Sequence, residues 1–165
     1  MAADGSERRM HAVLLTWNPG RGNDYVWTPD AWDRQVVAAC QQDRPVRTTW
    51  GVAHHFNGIK PGVDAFLYRQ GPHGRGIVAR GTIRSHPGPA PHWDETRARR
   101  GVTTKIVDVE LYQAVPVERA LRVDQMEALM PEFAWRKVYS SGRLTSPSVA
   151  EQLRRLWEWH AAAEA

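Results

Sequence analysis

Residues 65–83 read Ala-Phe-Leu-Tyr-Arg-Gln, then Gly-Pro-His-Gly-Arg-Gly, then Ile-Val-Ala-Arg-Gly-Thr-Ile. Two apolar runs flanking a Gly- and Pro-rich turn predict a β-hairpin. Upstream, Thr48-Thr49-Trp50-Gly51-Val52-Ala53 clusters β-branched and aromatic residues before the polar run His54-His55-Phe56-Asn57-Gly58, which predicts a strand entering a loop. Before it, Ala31, Trp32, Gln35, Val36, Ala39 and Cys40 recur at helical spacing after Thr28-Pro29, predicting a helix over 29–42 capped by Thr28. His11 to Thr16 is a first strand, stopped at Trp17-Asn18-Pro19-Gly20.

Downstream, prolines at 87, 89 and 91 predict that Ser85 to Gly101 is a long exposed loop carrying Trp93. Alternation returns over Val102 to Tyr112 as a strand, and Leu121 to Met130 suits a short helix. Ser146-Pro147-Ser148 opens a last helix with Val149, Leu153, Leu156 and Trp157 on one face, and Glu151 completes a capping box from Ser148. Strands and helices do not alternate regularly, so a doubly wound sheet is excluded. The expected class is α+β: a small mixed β-barrel flanked by helices, one domain over 11–160 with a flexible stretch 1–10 and a tail 161–165.

At 165 residues the chain is long enough for one self-sufficient core. The lone Cys40 forms no intramolecular disulfide, the first ten residues do not resemble a signal peptide, and no apolar run reaches membrane-spanning length. A cytoplasmic protein with no membrane partner is expected. Between residues 69 and 105 stand eight cations against Asp94 and Glu95, a local excess in a chain of net charge +4. Such a surface suits a phosphate backbone, although a solvated arginine-rich face has the same composition.

Enzyme signatures are weak. Gly71, Gly74 and Gly76 lie between strands rather than before a helix, so they are not a phosphate loop. His54, His55, His73, His86 and His92 lack metal-site spacing, and no metal or cofactor is expected. Ser85 and Ser141 sit in no nucleophile elbow, Cys40 lies on an apolar helix face, and Asp94 and Glu95 are neighbours that point apart.

The eight tryptophans carry more information. Trp17, Trp50 and Trp93 each fall at a strand end or in a loop, where they could meet at one rim of a barrel. Stacking on an aromatic side chain contributes roughly 1–3 kcal/mol per unstacked base, which is how proteins hold a base taken out of a duplex. Trp17 and Trp50 are equally where rings plugging the barrel core would stand. Trp27, Trp32, Trp135, Trp157 and Trp159 are assigned to helix packing or surface.

Several stretches together resemble one family. Val13-Leu14-Leu15-Thr16-Trp17-Asn18-Pro19 is similar to the opening strand and turn of EVE domains, and Thr49-Trp50-Gly51-Val52 resembles a strand they share with YTH domains. Ile59 to Gly71 resembles the strand after a Lys-x-Gly-Asp turn, with Val63 standing here between the glycine and the acid. Gly76 to Gly81, Trp93 with Val107-Asp108-Val109, and Ser141-Gly142 continue the likeness, which covers about 11–157 and extends to the front modules of modification-dependent restriction nucleases.

The resemblance implies a PUA-like barrel and a non-catalytic reader. Its pocket would take a flipped C5-modified cytosine or N6-methyladenine, in DNA rather than RNA. Trp50, on the Gly51 strand, and Trp93, in the Pro-rich loop, would be the stacking walls, with Trp17 and Asn18 beside them. His55, Asn57 and Gln70 would make edge contacts, and Phe56 a further wall or wedge. Arg69, Arg75, Arg84, Arg97, Arg99, Arg100 and Ser141 would hold the backbone, and a separately encoded nuclease is a candidate partner. A modified-RNA reader and an enzyme acting on a nucleobase or small ligand are the competing readings.

Overall fold

The computed structural model describes residues 10–18, 27–52, 56–71, 75–92 and 94–164, with Phe56 described by its backbone alone. Its strands are β1 (Ala12–Trp17), β2 (Val46–Val52), β3 (Asp64–Arg69), β4 (Gly76–Ile83), β5 (Gly88–Pro91), β6 (Thr103–Ala114), β7 (Leu121–Arg122) and β8 (Arg143–Leu144). Helix α1 begins over Pro29–Ala31, widens to a π-helix over Trp32–Val37 and returns to α over Ala38–Gln41. Helices α2 (Glu95–Arg99), α3 (Val123–Leu129) and α4 (Pro147–Ala163) follow.

All the strands join one sheet in the order β2-β6-β4-β3-β1-β8, with β5 beside β6 and β7 beside β4. The expected hairpin is β3 and β4, antiparallel from Asp64↔Thr82 to Arg69↔Gly76. Parallel pairing occurs between β1 and β3, which needs a long connection, and α1 and β2 lie within it. Register shifts bend the sheet in β3 at Leu67/Tyr68 and in β4 at Arg80/Gly81. Only glycine serves at 81, because a Cβ there would stand 2.3 Å from the Glu110 carbonyl oxygen. The curl brings β2 round to β1, where the Trp50 indole N–H donates to Thr16 O at 3.0 Å. The result is the α+β half-barrel with flanking helices that the element pattern predicts.

At β1, β3 and most of β4 the sheet is buried on both sides, which explains the continuous apolar run of β1. Val13, Leu15 and Trp17 face an inner core with Trp32, Val107 and Val109, whereas Ala12 and Leu14 face an outer core with Phe66, Trp135, Leu153 and Trp157. Strand β6 alternates more cleanly, burying Val107, Val109 and Leu111.

The stretch 85–101 departs from expectation. It contains β5 and α2 rather than an irregular loop. Strand β5 continues along the edge of β6 that β4 leaves, pairing Gly88↔Ile106 through Pro91↔Thr103. The His92 amide donates to Val102 O, and counting back in twos places Pro89 and Pro91 where no donor is required. Asp94 caps α2 by accepting from the Arg97 amide at 3.1 Å, and Glu95 pairs with Arg99. Helix α4 is capped by Ser146, whose Oγ accepts from the Val149 amide, in place of a box between Ser148 and Glu151. Pro147 at the first helical position sets that frame, and Glu151 pairs with Arg155 instead.

A charged lock holds α4 to the sheet. Asp64 accepts from Arg80 Nη2 at 3.3 Å and from Arg154 Nε, while Arg154 Nη2 reaches Met10 O at 2.8 Å. The Arg80 side chain is only 12% exposed and also meets Glu158. Removing Asp64 would leave two largely buried guanidinium groups without their shared carboxylate. Asp64→Ala is therefore expected to lower unfolding stability by about 3 kcal/mol, measured by urea denaturation, while Glu158→Ala on the exposed rim costs under about 1 kcal/mol.

Candidate functional site

Four indoles gather where β1 ends. Trp17 and Trp32 lie with ring centroids 4.9 Å apart, Trp27 meets Trp32 edge-on at 5.5 Å, and Trp27 stacks on Trp50 at 6.1 Å and 21°. Trp17 and Trp32 are fully buried, whereas Trp27 and Trp50 retain 6% and 8% exposure. Trp17 and Trp32 thus form a floor, and Trp27 and Trp50 stand nearer the surface. Trp32 Nε1 donates to Val115 O at 2.9 Å, but Trp17 Nε1 is buried without an acceptor among the described residues.

Trp27 and Trp32, expected in helix packing or at the surface, belong to this cluster. The signal was present at the start of α1: Trp27 directly precedes the Thr28 cap and Trp32 is the fourth helical residue, the spacing of a hydrophobic staple. Trp135 and Trp157 belong to the outer core, and Trp159 is exposed.

The end of β1 also assembles polar groups. The Gln70 amide donates to Trp17 O at 2.7 Å, and its side-chain nitrogen donates to Val138 O and Tyr139 O. Asn18 Oδ1 lies 3.4 Å from where a Cβ on Gly71 would stand, a glycine with φ +115°. Ser141 Oγ accepts from the Thr16 amide at 3.2 Å. Trp17, Asn18, Trp50, Gln70 and Ser141 are thereby brought together. Gly51 follows Trp50 with open space around its Cα. Asn57 is set apart: the adjacent Gly58 packs on His11 and Leu144, at the beginning of β1, roughly 20 Å from its end at about 3.3 Å per residue. His55 and Trp93 lie outside the described residues, as do His54 and His73 and the side chain of Phe56.

The arginines do not form one patch. Arg75 and Arg84 flank opposite ends of β4, about 30 Å apart at strand rise. Arg69 is partly buried, with Nη1 on Val117 O, and burial lowers its pKa. Arg84 and Arg47 both hydrogen-bond Glu110, which keeps that carboxyl below its ordinary range. Arg99 pairs with Glu95, and Arg97 and Arg100 are largely at the surface of the same short helix end. Among the described residues no cluster of three or more His, Cys, Asp or Glu could hold a metal ion, and no helix is long and apolar enough to cross a membrane.

No protein-family model and no curated protein matches the sequence. Solved structures do match. A hypothetical protein from Leishmania major superposes with TM-score 0.56 at 14% identity, covering 91% of this chain and 96% of that one. Human THYN1, solved in complex with 5-methylcytosine-containing DNA, superposes with TM-score 0.55 at 16% identity over 90% and 96%. The DUF55 domain of human thymocyte nuclear protein 1 does so with TM-score 0.53 at 15% identity over 89% and 97%.

The chain shares the fold of these structures, a mixed sheet curled into a half-barrel with flanking helices. Within that fold the indole cluster and the β1 end bring aromatic rings and hydrogen-bonding groups together.

Two predictions follow from this chemistry. Cys40, donating to Leu111 O at 3.8 Å, has its thiol pKa pushed up by burial from 9.0 to about 11. Its contribution to stability is complete below pH 9 and is lost as pH rises towards 11, because the unfolded thiol ionises first; alkylation at pH 8 is expected to be slow until denaturant is added. Trp32→Phe should destabilise more than Trp17→Phe by about 1–2 kcal/mol in thermal or urea unfolding, since only the former strands a buried carbonyl.

Proposed function

We propose that the protein is a reader of modified DNA that holds a flipped C5-modified cytosine or N6-methyladenine at its indole cluster, without catalysis of its own. The observation that carries the reading is the group of four indoles at the end of β1, bordered by Asn18 and Gln70. Its support from outside the chain is that human THYN1, which shares the fold, was solved with 5-methylcytosine-containing DNA. A base extruded from a duplex loses its stacking, and an indole face replaces it while desolvating an added methyl group.

Trp50 and Trp93 are the proposed walls, over the floor of Trp17 and Trp32. A base slotted between two rings needs them about 7 Å apart, two contact distances of about 3.5 Å. Trp27 and Trp50 are closer than that, so Trp27 has to move aside when the base enters. Asn18 offers a donor and an acceptor for the base edge. The Gln70 side-chain nitrogen is committed to the 138–139 backbone, which makes Gln70 a positioning residue. Arg97 and Arg100, with Arg84 exchanging Glu110 for a phosphate, are the proposed backbone contacts; a separately encoded nuclease is the partner such a reader would serve.

A binding panel of plain, 5-methylcytosine, 5-hydroxymethylcytosine and N6-methyladenine duplexes at fixed salt, with matched RNAs, tests the proposal. At least a tenfold preference for one modified duplex is expected, about 1.4 kcal/mol. Equal affinities across the panel would overturn the reading, and a preference for RNA would move it to the 2′-hydroxyl-sensing class. Trp50→Phe keeps a ring against the core but gives up the larger indole wall, so it should reduce that preference while leaving a cooperative melting transition.

A further inference from the structure

The segment 133–143, Phe-Ala-Trp-Arg-Lys-Val-Tyr-Ser-Ser-Gly-Arg, holds three cations and no carboxylate. Its backbone is fixed by side chains. Five consecutive carbonyls accept from side chains: Trp135 O from Tyr68 Oη at 2.7 Å, Arg136 O from Arg75 at 3.1 Å, Lys137 O from Arg143 at 2.8 Å, and Val138 O and Tyr139 O from Gln70 at 2.9 and 3.1 Å. Trp135 and Val138 are buried in the outer core, so the segment is anchored there, and Arg136, Lys137 and Tyr139 are exposed. Tyr139 is 70% exposed. A single exposed tyrosine is ordinary on a protein surface. This one sits on a backbone already pinned, so ordering it against a ligand costs little entropy.

Its position is set by the sheet. Strand β8 pairs antiparallel with β1 through Leu14↔Arg143, and Thr16 donates to Ser141 Oγ. Continuing by two residues brings Tyr139 beside the Asn18 end of β1. Gln70 ties the two places together, with its backbone on Trp17 and its side chain on Tyr139. Arg75 and Arg143 each use one Nη on a carbonyl and keep further N–H donors. Arg143 also lies over the Phe133 ring at 4.6 Å, and Arg136 pairs with Glu127 on the exposed side. Ser141, accepting from Thr16, still has its hydroxyl proton to donate.

We infer that residues 135–143 form a second DNA-contact surface, a platform for the strand that flanks the flipped base. Arg75, Arg136, Lys137 and Arg143 neutralise its phosphates, Ser141 donates to one of them, and the Tyr139 ring stacks on the neighbouring base. Glu127 is displaced from Arg136 by a phosphate, a cheap exchange for an exposed pair. The inference rests on the reader reading in taking DNA as the ligand, but it does not depend on discrimination between modified and plain bases.

The test is fluorescence anisotropy with a plain and a 5-methylcytosine duplex over about 50 to 200 mM salt. Wild type is compared with Tyr139→Ala, Tyr139→Phe and the double variant Arg136→Gln with Lys137→Gln, each checked by thermal melting. The double variant is expected to flatten the slope of log K against log salt by about 2, roughly 0.9 per phosphate contact, equally for both duplexes. Tyr139→Ala should weaken binding about tenfold, within the range of one lost base–aromatic stack, and Tyr139→Phe should restore it. Folded variants with the wild-type slope and affinity overturn the platform. If wild type binds both duplexes equally, the modified-base reading fails, and the platform stands or falls on the slope change with plain DNA. If wild type binds neither, both fall.

Discussion

The hydrogen bond from the Trp50 indole to Thr16 O ties β2, at one end of the sheet, to β1, next to the other end. It stands beside the inner core that Trp17, Trp27, Trp32 and Trp50 share with β4 and β6, whose packing closes the curl. The same contact fixes the orientation of the ring on which Trp27 stacks. Packing of the barrel and geometry of the candidate site are therefore one arrangement. A change at Trp50 acts on both, which is why conservative replacements and a folding control separate the two effects.

This coupling bears on how a buried aromatic cluster can serve a ligand. Trp17 and Trp32 are sealed and behave as core, and only the Trp32 N–H finds an acceptor among the described residues. Trp27 and Trp50 lie closer to solvent, and the Trp27 ring is held by stacking and edge contacts, which are individually modest interactions. A binding element drawn from the less stable part of a structure is the physical expectation for a site that opens. Beside it, the 135–139 backbone is tied down by side chains from β3, the β4 approach and β8. A pinned cationic surface thus lies next to a ring pair held by weaker contacts.

Much of the architecture was legible because it follows from local chemistry. The apolar runs of β1, β3 and β4, the Thr28-Pro29 start of α1 and the Ser146-Pro147 start of α4 each announce themselves through periodicity or capping residues. The errors have equally local causes. Prolines 89 and 91 read as a loop because their missing donors were counted against a strand, yet they occupy alternate positions on an edge where those donors are not required. Trp27 was passed over because it lies outside the helix whose first turn it staples.

The sequence by itself determined β1 to β4, β6, the helices α1, α3 and α4, the excess of tryptophan and the resemblance to EVE domains, because turn residues, capping and alternation are written over a few neighbouring positions. Only the tertiary structure decided which indoles converge, which arginines are already engaged and that residues 135–139 lie against the end of β1. Those outcomes depend on the β1–β3 parallel crossover, the bulges that curl the sheet and the β1–β8 register. Each joins residues far apart in the chain, and no local pattern encodes a distance between them.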